Sequence, residues 1–207
     1  MSATRRVFLL SPASSGGLRA RMLLREEASF PLARQVRTSG APLAEVFTFL
    51  SKLYFRGKVA YVRRFAGPPA GVEPGLVITT TGGLVPMHQV ITAASLRAFE
   101  RVDIDLSEPR YAGPLKRTAL ELERSLGAAD QVVLLGSIAS GKYVELLLPI
   151  FGGRLVFPEC FVGRGDMSRG GVMLRAAESG KELSYIPVSG AIRRGARPPK
   201  LTGSAFR

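Results

Sequence analysis

The residues best suited to chemistry lie in a glycine-rich stretch that runs from Gly136 to Lys142. Its spacing, G-x-x-x-x-G-K, is that of the phosphate-binding P-loop, in which backbone N–H groups and a lysine surround phosphate oxygens. Tyr143 stands where the P-loop has the serine or threonine that holds Mg²⁺. The stretch therefore favours phosphate binding without nucleotide hydrolysis. Its predicted phosphate-binding residues are Gly136, Ser137, Ser140, Gly141 and Lys142.

Two guanidinium groups flank a carboxylate in the segment from Arg164 to Arg169. Arginine forks bind phosphate oxygens in pairs, and Asp166 between them is suited to act as a general base or to orient the arginines. An ion-paired structural loop would have the same composition, so both interpretations stay open. For an enzyme, Asp166 is the predicted base, and Tyr143 or Ser140 is predicted to position the substrate.

Basic and aromatic residues alternate in the stretch that follows residue 53. Such a pattern binds phosphates and stacks bases, although buried aromatics beneath a basic surface produce the same pattern. A basic C-terminal segment adds further cations. The predicted nucleic-acid-binding residues are Arg56, Lys58, Arg63, Arg64, Arg193, Arg194, Arg197 and Lys200.

The net charge favours a polyanionic partner. The chain has 29 Lys and Arg against 16 Asp and Glu, a formal charge of +13, and residues 71–190 contribute none of this excess. A charge of this sign attracts nucleic acid, nucleotides or an acidic membrane surface. No apolar stretch approaches the ~20 residues of a membrane span, and the run Val7–Leu10 is too short for a signal peptide. We therefore expect a cytoplasmic protein that binds nucleic acid or a nucleotide, and no membrane partner.

Metal and redox chemistry have few candidate residues. Cys160 and His88 are the only cysteine and the only histidine, so neither an internal disulfide nor a zinc cluster is expected. Asp103 and Asp105 would share one face of a strand, a pattern that fits a solvated surface better than a metal or acid–base pair. The sequence therefore predicts no metal and no cofactor.

Apolar runs and helical periodicity alternate along the chain. They predict strands at 7–10, 76–79, 131–135, 154–157 and 183–188, and a half-exposed edge strand at 102–106. They predict helices at 18–25, 43–54, 58–65, 111–126 and 142–151, an interruption at Gly57, and a glycine-rich loop at 162–171. This alternation predicts one α/β domain over residues 1–192, with a mostly parallel open sheet flanked by helices, and a flexible basic tail over 193–207.

Ligands bind beyond the carboxyl ends of the strands in a parallel sheet. Four segments follow predicted strand ends, at 11–17, 79–83, 136–142 and 163–171, and each is glycine-rich with hydroxyl or basic residues. We expect them to meet at one edge and to form a single anion-binding site. The further residues predicted to bind phosphate or nucleotide are Ser11, Ser14, Gly83, Arg164 and Arg169.

Four short pieces of the sequence resemble the YaaA-type peroxide-stress proteins and related bacterial families. The pieces are Ser11-Pro12-Ala13, Gly83-Leu84-Val85-Pro86, Ala139-Ser140-x-x-Tyr143 and Met167-Ser168-Arg169, in the same order as in that family. The resemblance implies a mixed α/β fold and DNA binding linked to oxidative damage.

The sequence as a whole favours a protein that binds nucleic acid or a nucleotide through its strand-end loops and its basic surface. The alternative is an enzyme that acts on a nucleotide or a nucleic-acid base at the same edge, by glycosyl transfer or hydrolysis. The choice between DNA and RNA, the identity of the ligand and the oligomeric state stay open.

Overall fold

A mixed six-stranded sheet forms the centre of the protein. A computed structural model describes residues 4–196 and 198, and its strands are β1 (Arg6–Leu10), β2 (Ala41–Pro42), β3 (Gly75–Thr79), β4 (Gly83–Pro86), β5 (Val90–Ile91), β6 (Gln131–Leu135), β7 (Leu155–Pro158) and β8 (Tyr185–Pro187). The sheet order is β4-β3-β1-β6-β7-β8, with β2 and β5 paired separately. Strands β3, β1, β6 and β7 are parallel, and the two edge strands are antiparallel. The predicted single α/β domain with a mostly parallel open sheet is confirmed.

Helices lie between the strands. They are α1 (Leu18–Leu24), α2 (Pro31–Thr38), α3 (Leu43–Ser51), α4 (Leu53–Phe65), α5 (Ala93–Glu100), α6 (Pro109–Arg124), α7 (Gly141–Phe151) and α8 (Asp166–Ser179). Their apolar faces cover a sheet whose central strands are buried along their length: Val7–Leu10 of β1 and Val132–Leu135 of β6 have no exposed surface. Continuous apolar runs of this kind are typical of parallel strands covered on both faces. No helix within the described residues has the length and apolar character to cross a membrane.

The strand order reverses between β1 and β6. The chain passes from β1 to β3 on one side and later returns to β6 on the other side of β1. Such a reversal opens a crevice at the carboxyl ends of the two strands, and open α/β sheets bind ligands there. The residues after Leu10 and Leu135 therefore occupy the favoured place for a functional site.

Helices α4 and α8 cross with their backbones in contact. A Cβ added to Gly57 would lie 2.6 Å from the Gly170 carbonyl oxygen, and one added to Gly170 would lie 2.7 Å from the Leu53 carbonyl oxygen. No side chain fits between two backbones at this distance. Because α4 continues through Gly57 without a break, the prediction that Gly57 interrupts the helix is wrong. The break falls at Lys52, whose φ is +48°.

Two other predicted segments have a different structure. Most of the predicted loop at 162–171 is helical, because α8 begins at Asp166, and Gly170 lies at the contact with α4. The predicted edge strand at 102–106 forms turns instead of a strand. There the Asp105 carboxylate accepts hydrogen bonds from the backbone N–H and the hydroxyl of Ser107, both at 2.8 Å, which is the local bonding that draws Asp away from regular strands.

The start of the predicted tail packs on the domain. A Cβ on Gly195 would lie 2.6 Å from Val162 Cγ1, and one on Gly163 would collide with the Ala196 carbonyl oxygen. Gly195 and Ala196 therefore lie beside the segment that precedes α8. Arg197 and Lys200, both predicted to bind nucleic acid, fall outside the described residues.

Candidate functional site

A buried lysine lies at the reversal of strand order. Lys58 of α4 has no exposed surface, and its Nζ donates hydrogen bonds to the Ser11 hydroxyl oxygen at 2.7 Å and to the Ser11 carbonyl oxygen at 2.8 Å. The centre of the Tyr54 ring lies 3.8 Å from the same nitrogen. Ser11 directly follows β1. The structure therefore joins the end of the central strand to the middle of α4 through one amine.

Burial lowers the pKa of the Lys58 amine from its ordinary value of 10.5 to about 7. Removal from water is the main cause, because an ammonium ion loses its hydration there. Asp166 raises this pKa and Arg169 lowers it. None of the ion pairs among the described residues includes Lys58. Near neutral pH the amine is therefore divided between its charged and neutral forms.

Arg169 of α8 connects this lysine to the surface. Its guanidinium donates to the Phe161 carbonyl oxygen at 3.3 Å, to the Asp166 carboxylate at 3.3 Å and to the Ser137 hydroxyl oxygen at 3.5 Å. The Arg169 side chain is 10% exposed, and that of Asp166 is 67% exposed. The cluster thus runs from the buried amine to a carboxylate in solvent.

Tyr54 contributes a buried hydroxyl group. This hydroxyl is the buried side-chain polar atom that finds no hydrogen-bond partner among the described residues. The Ser11 and Arg169 side chains lie near it without completing a hydrogen bond, and burial raises the Tyr54 pKa to about 12. An unpartnered buried hydroxyl costs stability. The Tyr54 hydroxyl is therefore a buried polar group without a close hydrogen-bond partner among the described residues.

The turn after β6 differs from a phosphate-binding P-loop. The Tyr143 hydroxyl donates to the Ser137 carbonyl oxygen at 2.8 Å and lies 2.8 Å from where a Cβ of Gly136 would be. The Glu145 carboxylate lies directly over Gly141, at the start of α7. A carboxylate beside the first turn of α7 would repel a phosphate bound at that helix N-terminus. The turn packs against Ser11 and closes the cluster from the β6 side.

Three of the four predicted strand-end segments line a common cavity of about 430 Å³ at the carboxyl edge of the sheet, here called the rim cavity. Ser14, Thr80 and Lys142 come from the segments after β1, β3 and β6. Glu100 and Asp103 add two carboxylates to its wall. The rim cavity therefore offers hydrogen-bond acceptors as well as a cation.

Other predicted phosphate-binding residues lie beside these groups or away from them. Ser140 is the N-cap of α7. Arg164 donates to the Cys160 carbonyl oxygen at 2.9 Å and to the Ser168 hydroxyl at 3.1 Å. Gly83 lies at the turn into β4, with a φ of +69°, and packs on α6 instead of facing the rim cavity.

The predicted nucleic-acid-binding surface is divided in the structure. Arg56, Arg63 and Arg64 are exposed on α4, and the first two line a separate, mostly apolar cavity of about 440 Å³. Arg193 and Arg194 lie near α7, where Arg193 is 3.8 Å from the Glu145 carboxylate. Lys58 does not belong to this surface, because its side chain points into the protein.

The role of Lys58 had a visible signal in the sequence. Phe55, Val59 and Val62 recur at helical spacing and form the buried side of α4, and Lys58 falls on that side, three residues after Phe55. A lysine on an apolar helix face is rare unless it is paired. Its partner Ser11, 47 residues away, was predicted to bind phosphate, but nothing in the sequence indicated its contact with Lys58.

The described residues hold no group of three or more His, Cys, Asp or Glu side chains placed to bind a metal ion. No protein family, curated protein or solved structure matches this chain. The resemblance to the YaaA-type proteins therefore stays a prediction.

Proposed function

We propose that the protein is an enzyme that binds a nucleotide or nucleic acid and transfers or hydrolyses a group at the Ser11–Lys58 pair. The observation that carries the proposal is the buried amine, 2.7 Å from a hydroxyl oxygen at the reversal of strand order. A nucleophile within hydrogen-bond distance of its base is the basic requirement of covalent catalysis. The base is Lys58 rather than the solvent-exposed Asp166.

The proposed chemistry moves one proton between two groups. In its neutral form the Lys58 amine accepts the Ser11 hydroxyl proton, and the serine oxygen forms a bond to an electrophilic carbon of the substrate. The bond from that carbon to the leaving group breaks, and the proton passes from Lys58 to the leaving group. Water or a second acceptor then attacks the same carbon and gives its proton to Lys58, the bond to the serine oxygen breaks, and the proton passes from Lys58 to Ser11.

Two hydrogen-bond donors are available for the charge that develops. The Tyr54 hydroxyl has no partner of its own, and Arg169 lies beside it with a permanent charge. Donors already in place in a water-poor site stabilise a developing negative charge without reorganisation. This role does not require the turn after β6 to bind phosphate, which agrees with the Glu145 carboxylate lying beside the start of α7.

The substrate class rests on charge and on the rim cavity. A formal charge of +13 favours a polyanion, and Lys142 and Ser14 line a cavity large enough for a nucleoside. The exposed arginines of α4 remain predicted contacts with nucleic acid. A polyanionic substrate and a cavity of nucleoside size favour glycosyl transfer or hydrolysis at a base as the reaction class.

A screen of nucleosides, nucleotides and short DNA and RNA strands, followed by mass spectrometry, tests the proposal. We expect at least one compound to be converted, with a rate that rises with pH through about 7 as the Lys58 amine becomes neutral. Ser11→Ala and Lys58→Met should abolish turnover and leave the folded structure intact. Loss of a nucleophile or its base typically costs several orders of magnitude in rate.

His88 supplies the matched control, because it is the only histidine in the sequence. It lies on the surface beside Glu73, so His88→Gln should leave both rate and pH profile unchanged. Turnover that survives in Lys58→Met, a pH profile that moves with His88, or conversion of none of these compounds would each show that the proposal is wrong.

A further inference from the structure

Four arginines surround a cleft of about 310 Å³ beside the rim cavity. Arg21 and Arg25 come from α1 and the residue after it, and Arg97 and Arg101 come from α5 and its C-cap. We call this group the arginine cleft. None of the four is part of the basic surface predicted from the sequence, because they are spread over 81 positions and only the fold brings them together.

The arginine cleft concentrates positive charge that its one carboxylate, Glu100, offsets only in part. All four side chains are exposed, and none of them forms an ion pair or a side-chain hydrogen bond within residues 4–196. Each helix places its two arginines four residues apart, a spacing at which like charges repel and destabilise. Bound phosphates would relieve this repulsion, and guanidinium forks match phosphate oxygens in pairs.

The arginine cleft and the rim cavity share a wall. Glu100 lines both, and its carboxylate lies 3.4 Å from the position that a Cβ on Gly16 would take. A molecule with phosphates in the cleft can therefore place a neighbouring group in the rim cavity. There Glu100 and Asp103 offer acceptors for exocyclic amino groups, as carboxylates do for the amino group of cytosine.

We propose that the arginine cleft binds the phosphate backbone of a nucleic-acid strand and directs one of its bases into the rim cavity. This inference rests on the proposed function and narrows its substrate from nucleotides in general to a strand. Two exposed arginine pairs, each spaced by about 6 Å along a helix, suit successive phosphates better than one compact anion. A base must leave its stack to react in such a cavity.

Fluorescence anisotropy with a fluorescein-labelled single-stranded DNA of mixed sequence tests the arginine cleft. In Arg21→Ala/Arg97→Ala, which removes one arginine from each helix, we expect affinity at physiological salt to fall at least tenfold. The slope of log affinity against log salt should become shallower by about 1.4, since each phosphate contact on a single strand contributes ~0.7. Arg21→Lys/Arg97→Lys should keep the slope and lose part of the affinity.

The matched control removes the same charge elsewhere. Arg117 and Arg124 are exposed on α6, and Arg117→Ala/Arg124→Ala should change the affinity less than twofold. Equal losses in both double variants would mean that net charge alone attracts DNA, and the inference would be overturned. The inference would also be overturned if unlabelled triphosphate displaced the labelled strand when added at the concentration at which the strand itself saturates the cleft. The ligand would then be a free polyphosphate.

Binding and turnover separate this inference from the function on which it rests. Lys58→Met should bind the labelled strand as tightly as the wild type, because the buried amine does not face the cleft. A chain that binds the strand through the cleft but converts no compound would refute the enzyme and leave the cleft intact. If the protein converts free nucleosides but the arginine-cleft variants bind the strand as the wild type does, only the inference that the cleft binds a strand would be refuted.

Discussion

Between pH 7 and 10.5, the free energy of unfolding of the wild-type protein is expected to rise by about 5 kcal/mol relative to that of Lys58→Met. The Lys58 pKa is about 7 in the folded protein and 10.5 in its ordinary state. In this interval the unfolded chain binds a proton that the folded chain does not, so stability rises with pH. The penalty for burying the charge is complete below pH 7 and absent above pH 10.5.

Urea unfolding from pH 6 to pH 11 measures this difference. The Lys58→Met variant keeps every other titrating group, so subtracting its curve of unfolding free energy against pH from that of the wild type cancels the contribution of those groups. The methionine side chain also fills a volume similar to that of lysine. Lys116 is exposed on α6, and Lys116→Met should give a curve parallel to that of the wild type. If Lys58→Met also ran parallel to the wild type, the Lys58 amine would have an ordinary pKa.

A cost of this size has a consequence for the interpretation of the site. Natural proteins rarely bury an amine without an acidic partner when an apolar side chain would be more stable. Lys58→Met should therefore be more stable than the wild type at pH 7 and inactive. Opposite effects on stability and activity are typical of a residue kept for its chemistry.

Much of the sheet could be predicted from the sequence because its signals are local. The segment Gln131–Leu135 is an apolar run between polar residues, and β6 has the same bounds. The hairpin strand β4 was not predicted, since Gly83–Pro86 has a glycine at one end and a proline at the other. Its pairing with β3 fixes it as a strand, and such pairing is not visible in the short segment itself.

The site was less predictable, because its parts act through distant partners. Ser11, Ser137, Tyr143, Asp166 and Arg169 were all predicted as site residues, and the structure brings them together around Lys58. The phosphate-binding role of the turn at 136–142 stays a prediction, and it requires an open start of the following helix. The Glu145 carboxylate, which closes it, is an ordinary exposed helical residue in the sequence.

The position of Lys58 depends on the backbone contact between α4 and α8. Gly57 precedes the lysine and Gly170 follows Arg169, so the two glycines hold the amine and the guanidinium at fixed places on facing helices. Glycine in a helix costs about 1 kcal/mol relative to alanine. The two glycines therefore lower the stability of both helices, but they allow the contact. Any larger residue at Gly170 would collide with the backbone of α4.

Gly170→Ala is expected to lower the free energy of unfolding by about 2 kcal/mol, because the ~3 kcal/mol cost of overpacking outweighs the ~1 kcal/mol gain in helix propensity. Its Cβ would lie 2.7 Å from the Leu53 carbonyl oxygen and 2.8 Å from Tyr54 Cα, which are backbone atoms that cannot rotate away. No atom outside its own helix turn and chain neighbours lies within 4 Å of the Cβ position of Gly113 in α6, so Gly113→Ala should change the free energy of unfolding by less than ~1 kcal/mol, since the gain in helix propensity opposes the contact with the following Pro114. Thermal and urea unfolding of both variants measure the contrast. Stabilisation by both alanines would show that α4 and α8 separate readily, and the Lys58–Arg169 arrangement would lose its rigid support.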